Sequence, residues 1–155
     1  SSFDNSFDMT NMAFFGENLI LDKICEKDIC VGDILKIGQA KVQITQPRQP
    51  CWKLSVNSLK NSMTKFIFET GLTGFYAKVL KEGQISQNDD VVLEQRTNPN
   101  LTIEKLNQII VEPKIDINLT KEALACEDLG HQFKNSLTKR YELGDEDNQF
   151  SFYHT

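Results

Sequence analysis

The chain has no Cys-x-x-Cys pair, no His-Glu-x-x-His, no Gly-Lys-Ser/Thr phosphate loop and no Gly-x-Ser-x-Gly elbow. These absences exclude a zinc ribbon, a zincin-type protease, a P-loop nucleotidase and an α/β-hydrolase nucleophile, because each chemistry needs its residues at fixed offsets. A flavin-type glycine fingerprint and a cysteine-rich cluster motif are also missing, so electrons for any redox step must come from another protein. Histidine is scarce: His131 and His154 are the two in 155 residues, and neither has a partner at ligand spacing. Positive charge is short as well. Seventeen Lys and Arg against 22 Asp and Glu leave a net charge of −5, with Asp145-Glu146-Asp147 forming an acidic run. That balance argues against a nucleic-acid backbone or an anionic membrane surface as partner. No apolar run reaches membrane-spanning length, and the first residues lack the basic-then-apolar order of a signal peptide.

What is present suffices for one ordinary core. With 155 residues and 39% apolar content, two large domains are excluded, and a single core with a small helical appendage is expected. The four cysteines, Cys25, Cys30, Cys51 and Cys126, are irregularly spaced. Scattered thiols in such a chain point to free sulfhydryls in a reducing, cytoplasmic compartment. Cys25, Cys30 and Cys126 have apolar neighbours and are expected to pack in the interior.

Periodicity divides the chain. Ile34 to Ile37 and Ala40 to Thr45 read as a hairpin around Gly38-Gln39, with two prolines ending the second strand. Ser62 can cap a short helix that stops at Gly71. Gly74 to Leu80 and Asp90 to Glu94 read as strands separated by a turn around Glu82-Gly83. The short antiparallel strands suggest a small irregular β-barrel. After Arg96 the pattern becomes helical: one helix capped by Thr102, a second starting near Asn118 or Thr120, and a third carrying Leu129, Phe133, Leu137 and Tyr141. These helices are too poor in apolar residues to stand alone. They must dock on this chain's own strands or on a second subunit.

The most informative stretch is Gln46-Pro47-Arg48-Gln49-Pro50-Cys51-Trp52-Lys53-Leu54. Its prolines stiffen the backbone on both sides of Arg48-Gln49 and place Cys51 with little conformational freedom. By pattern alone Cys51 is equally a metal-ligand thiolate or a buried cysteine beside Trp52. Arg48 supplies a fork of donors suited to phosphate or carboxylate and would favour a nearby thiolate, or it is a surface arginine following a proline. Lys53 adds charge to the same pocket or points to solvent. Glu17 and Asn18 stabilise a turn or contact a ligand. Gly71 and Gly74 admit close approach of a ligand, or simply end a helix and begin a strand.

The same stretch resembles the MOSC domain, the molybdenum-cofactor sulfurase C-terminal module, in which a Pro-Arg-x-Pro-Cys loop supplies a thiolate to molybdenum. Phe15-Gly16-Glu17-Asn18-Leu19, Val31-Gly32-Asp33 and Thr70-Gly71-Leu72-Thr73-Gly74-Phe75-Tyr76 resemble further elements of that family, in order. The whole is similar to the small bacterial subfamily that reduces N-hydroxylated purines and carries a three-helix tail. The resemblance implies a mixed, mainly β fold: residues 1–96 as the C-terminal part of a MOSC β-barrel, 97–144 as the helical tail and 145–155 as a polar end. Family members carry an upstream strand-rich segment with a His-Gly-Gly-type motif. This chain lacks it and opens on Ser1-Ser2, so it is expected to be part of a longer protein.

The resemblance further implies a molybdenum-cofactor (Mo-molybdopterin) oxidoreductase that removes oxygen from a small N-hydroxylated substrate, a detoxifying reaction, with electrons from a separate reductase. In that reading Cys51 is the catalytic residue and metal ligand, and Arg48, Glu17, Asn18, Lys53 and Gly74 hold the cofactor. The alternative is a non-catalytic cofactor carrier or sulfur-transfer module. A homodimer is left open, with no nucleic-acid or membrane partner.

Overall fold

The computed structural model describes residues 18–49, 67 and 70–143. Four strands, β1 (Ile34–Ile37), β2 (Ala40–Pro47), β3 (Phe75–Lys81) and β4 (Val91–Gln95), form one antiparallel sheet in the order β3-β2-β1-β4. Three helices follow: α1 (Ile103–Val111), α2 (Ile117–Ala125) and α3 (His131–Leu143). This is the mixed arrangement of an antiparallel sheet with C-terminal helices expected from the sequence, although among the described residues helix outweighs strand. Among the described residues the sheet is open and does not close into a barrel.

The β1–β2 hairpin turns where expected, with Gly38 at φ +55 as the tight connection requires. β2 runs farther than the alternation suggested. Gln46 and Pro47 still pair with Tyr76 and Phe75, after a register shift between Ile44 and Gln46. A proline is tolerated here because it is the last strand residue. The segment after β3 is not a simple turn. β3 and β4 lie at opposite edges of the sheet, so residues 82–90 cross the end of the hairpin, where Gln39 N–H donates to the Gln84 carbonyl at 3.1 Å.

Strand alternation puts Leu35, Ile37, Ala40 and Ile44 on one face, and the helices cover it. Leu35 and Ile44 share a buried cluster with Leu101, Ile103, Leu106, Ile109, Phe133 and Leu137. The tail therefore docks on this chain's own sheet. Burying side chains of this size contributes roughly 1.5–3 kcal/mol each, enough to offset the ordering of short helices.

Local caps and long-range polar contacts together fix the helices in place. Thr102 caps α1 by accepting from Lys105 N–H at 3.2 Å, as its position before an apolar run predicts. α2 starts earlier than its apolar pattern suggested, because the Asp116 side chain accepts from Leu119 N–H at 2.9 Å and caps it there. Leu129 is buried ahead of α3 rather than on it. The start of α3 is held by the end of β2: Gln46 Oε1 accepts from Phe133 N–H at 3.4 Å, and Gly130 N–H donates to the Thr45 carbonyl at 3.0 Å. A side chain at Gly130 would collide with the Gln46 amide. Arg140 from α3, 4% exposed, donates to the Val111 carbonyl at 2.8 Å and so terminates α1.

Candidate functional site

β2 delivers Arg48 and Gln49 from its C-terminal end, immediately before Pro50 and Cys51. Cys51, Glu17 and Lys53, three of the residues singled out in the sequence, lie outside the described residues. Arg48, Gly74 and Asn18 lie within them. The structure brings Arg48 and Gly74 together, since Arg48 N–H donates to the Gly74 carbonyl at 3.0 Å. Asn18 is exposed, and no hydrogen bond among the described residues joins it to either.

Gly74 sits at φ +72, a conformation that side-chain-bearing residues rarely adopt. A Cβ placed there would meet no described atom within 4 Å. Its peptide is held from both sides. Gly74 N–H donates to Glu26 Oε1 at 2.8 Å, while its carbonyl accepts from Thr73 Oγ1 at 2.8 Å in addition to Arg48. The loop before it is tied to α1, where Asn107 Nδ2 donates to the Gly71 carbonyl at 2.8 Å and to Thr73 Oγ1 at 3.1 Å. Gly71, at φ +71, donates its N–H to the Ile67 carbonyl at 2.9 Å, while the helix expected from Ser62 lies, but for Ile67 and Thr70, outside the described residues.

Sequence reasoning missed Glu26, Thr73 and Asn107. Glu26 is 48 residues from Gly74 in the chain, and Asn107 is 36 residues from Gly71. Asn107 did carry one local signal: an amide on a helix face shared with Ile103, Leu106 and Ile110, where a buried polar group must find a partner.

A second polar centre is structural. Asp33, fully buried, accepts from Arg96 Nη2 at 2.6 Å and Nε at 2.9 Å, and from Cys30 N–H at 2.9 Å. Arg96 also donates to the Asp28 carbonyl at 2.8 Å, which pins the 28–33 loop beside the end of β4. The hydrogen bond to Asp33 raises the already high Arg96 pKa. Cys30 and Cys126 are buried as expected, and burial raises the Cys30 thiol pKa. Cys25 differs. It is half-buried, and its Sγ donates to Asp28 Oδ2 at 3.0 Å, which raises the thiol pKa and lowers that of Asp28.

Among the described residues no group of three or more His, Cys, Asp and Glu side chains is placed to hold a metal ion. No helix among them is long and apolar enough to cross a membrane. Two features at the end of β2 fit a bound group: the absence of any described atom within 4 Å of a Cβ at Gly74, and Gln49 Nε2, a buried donor with no hydrogen-bond partner among the described residues.

Comparison with known proteins agrees with this geometry. Residues 3–92 match the MOSC domain. YflK of Bacillus subtilis is 32% identical over 128 residues, covering 83% of this chain and 58% of its own length. YiiM of Escherichia coli is 28% identical over 126 residues, covering 81% of this chain and 56% of its own. A Gibberella moniliformis protein named "Reductase" is 29% identical over 116 residues, covering 74% of this chain and 21% of its own. The chain thus spans little more than half the length of the two bacterial relatives. In three dimensions it is similar to the crystal structure of YiiM from Geobacillus stearothermophilus, with a TM-score of 0.71, 35% identity and coverage of 76% of this chain and 60% of the other. It is also similar to the E. coli YiiM structure, with a TM-score of 0.76, 28% identity and coverage of 87% and 67% respectively. With more than half of its residues in that family match, a sheet and helices similar to those of the YiiM structures, and the Pro-Arg-x-Pro-Cys loop in place, the chain belongs to the MOSC domain family.

Proposed function

We propose that this chain forms the cofactor-loop portion of a molybdenum-cofactor-dependent reductase acting on N-hydroxylated bases or related N-hydroxylated compounds. The observation that carries the reading is the Pro47-Arg48-Gln49-Pro50-Cys51 loop of a MOSC-family chain, which leaves β2 at a residue whose backbone is bonded to Gly74. The relative named "Reductase" supports the oxidoreductase part.

In this reading Cys51 provides the protein thiolate, a soft ligand suited to molybdenum. When bound, the cofactor supplies a two-electron centre. The net reaction cleaves the N–O bond of the substrate, consumes two electrons and two protons, and releases the amine and water. Arg48 provides a permanent cation for an anionic group of the cofactor, and Glu17, Asn18 and Lys53 are the further candidates to hold it. Gly74 leaves room for close approach. Thr73, Glu26 and Asn107 hold the Gly71–Gly74 backbone to which Arg48 is bonded. A separate reductase supplies the electrons, and the subunits can pair as a homodimer.

Metal analysis of the full-length parent protein, followed by an assay with reduced viologen and a hydroxylaminopurine, tests the proposal. Bound molybdenum with turnover supports the reductase. Bound cofactor without turnover indicates a carrier or sulfur-transfer module, and absence of molybdenum overturns both.

A further inference from the structure

Three side-chain amides belong to the end of β2 or to the elements bonded to it, and two of them are engaged. Gln46 accepts from the start of α3, and Asn107 donates twice to the Gly71–Gly74 loop. Gln49 is the third, and its Nε2 is buried with no hydrogen-bond partner among the described residues. Native proteins pair nearly all buried donors, because an unmet one forfeits its bonds to water without replacement. Relief by backbone movement is restricted. Pro47 and Pro50 flank the residue, Pro47 is buried, and Arg48 is bonded to Gly74 at 3.0 Å. The donor is held idle at the end of β2, one residue after the Arg48 whose backbone is bonded to Gly74.

We infer that Gln49 is a ligand-contacting residue whose side-chain amide donates a hydrogen bond to an acceptor oxygen or nitrogen of a group bound at the end of β2, beside Arg48 and Gly74. Nε2 is a donor only, so the complementary ligand atom must be an acceptor. Two sources present one: a phosphate oxygen of the cofactor, or a ring nitrogen or carbonyl of a purine-like substrate. The inference rests on the proposed function for the identity of the ligand and not for the chemistry of the contact. It makes Gln49 a residue kept at a cost to the ligand-free protein.

That cost gives a signature that a structural role does not share. Thermal unfolding of the full chain is compared for wild type, Gln49→Leu and Gln49→Glu, first without ligand and then with inorganic phosphate or a hydroxylaminopurine. Without ligand, Gln49→Leu melts at a higher temperature than wild type, because the unmet donor is gone. With ligand, the order reverses. At least one probe binds wild type, and its Kd rises about tenfold in Gln49→Leu, the scale expected for losing one hydrogen bond from a desolvated site. Gln49→Glu, which replaces the donor by an acceptor, weakens binding at least as much. An effect confined to phosphate assigns the contact to the cofactor side, and one confined to the purine assigns it to the substrate side. A lower melting temperature for ligand-free Gln49→Leu would overturn the inference, because the amide would then be bonded within the protein. Equal affinities in wild type and Gln49→Leu, or no binding of either probe by wild type, overturn it as well. Absence of molybdenum from the parent protein with the Gln49-dependent binding intact sinks the reductase reading alone.

Discussion

The backbone of Arg48 donates to the carbonyl of Gly74 at 3.0 Å, joining the two ends of paired strands where β2 leaves the sheet and β3 enters it. The same Gly74 peptide is gripped by Glu26 from the preceding loop, and its neighbour Thr73 by Asn107 from α1. The loop leading to Cys51 therefore emerges from a point that three separate parts of the chain hold in position. The expected consequences of this arrangement are open to measurement.

Replacing Cys51 by Ala or Ser removes the thiolate without an equivalent ligand, since a hydroxyl is a poor match for a soft metal. Reductase turnover of the parent protein is expected to vanish, with the urea midpoint nearly unchanged. Full activity in Cys51→Ala sinks the assignment of this residue as ligand.

Asn107→Ala leaves the Gly71 carbonyl and Thr73 hydroxyl without their partner at a position only 8% exposed. A loss of roughly 1–3 kcal/mol in urea unfolding is expected. Turnover should fall as well, because the loop bonded to Arg48 is loosened. An unchanged midpoint would show that the amide is replaced there by water at no cost.

Arg96→Met strips the fully buried Asp33 of both guanidinium bonds. Orphaning a buried charge costs about 3–5 kcal/mol, and the one-third exposure of Arg96 places this pair at or below the low end. The double variant Arg96→Met with Asp33→Asn is expected to recover part of the loss, and a double-mutant cycle measures it.

The buried Cys30 thiol titrates above its ordinary value of 9.0, because burial disfavours the thiolate and nearby Asp33 adds to the effect. The folded state thus holds this proton more tightly than the unfolded chain. The associated stability is fully present below pH 9.0 and is lost as pH rises through the elevated folded value. Urea unfolding across the alkaline range should show a steeper decline for wild type than for Cys30→Ala, and parallel declines would contradict it.

Phe133 is fully buried in the cluster that joins helices and strands. Phe133→Ala is expected to cost about 3–5 kcal/mol, read as one cooperative transition by far-UV circular dichroism and by hydrogen exchange of the β2 and α1 amides. Two separated transitions would mean that sheet and helices unfold independently.

Several elements were legible because their signals are local. The Gly38-Gln39 hairpin follows from a turn residue between two alternating runs, and α1 follows from Thr102 ahead of Ile103, Leu106 and Ile110. The early start of α2 was hidden because Asp116 caps a first turn with few buried side chains. The path after β3 was hidden because a turn signal at Glu82-Gly83 carries no information about which strand comes next to which.

By itself, the sequence determined the strand and helix content, the family through its Pro-Arg-x-Pro-Cys loop, and the candidate residues Cys51 and Arg48. Each of these depends on neighbours a few positions apart, and short-range order is written directly in residue spacing. Only the tertiary structure decided that the helices dock on this chain's own sheet, that Gln46 caps α3, that Asp33 pairs with Arg96, and that Glu26 and Asn107 hold the Gly71–Gly74 loop. These contacts join residues tens of positions apart. A polar side chain in the sequence states that it needs a partner, but the partner is chosen by the packing of apolar faces, which brings distant segments together.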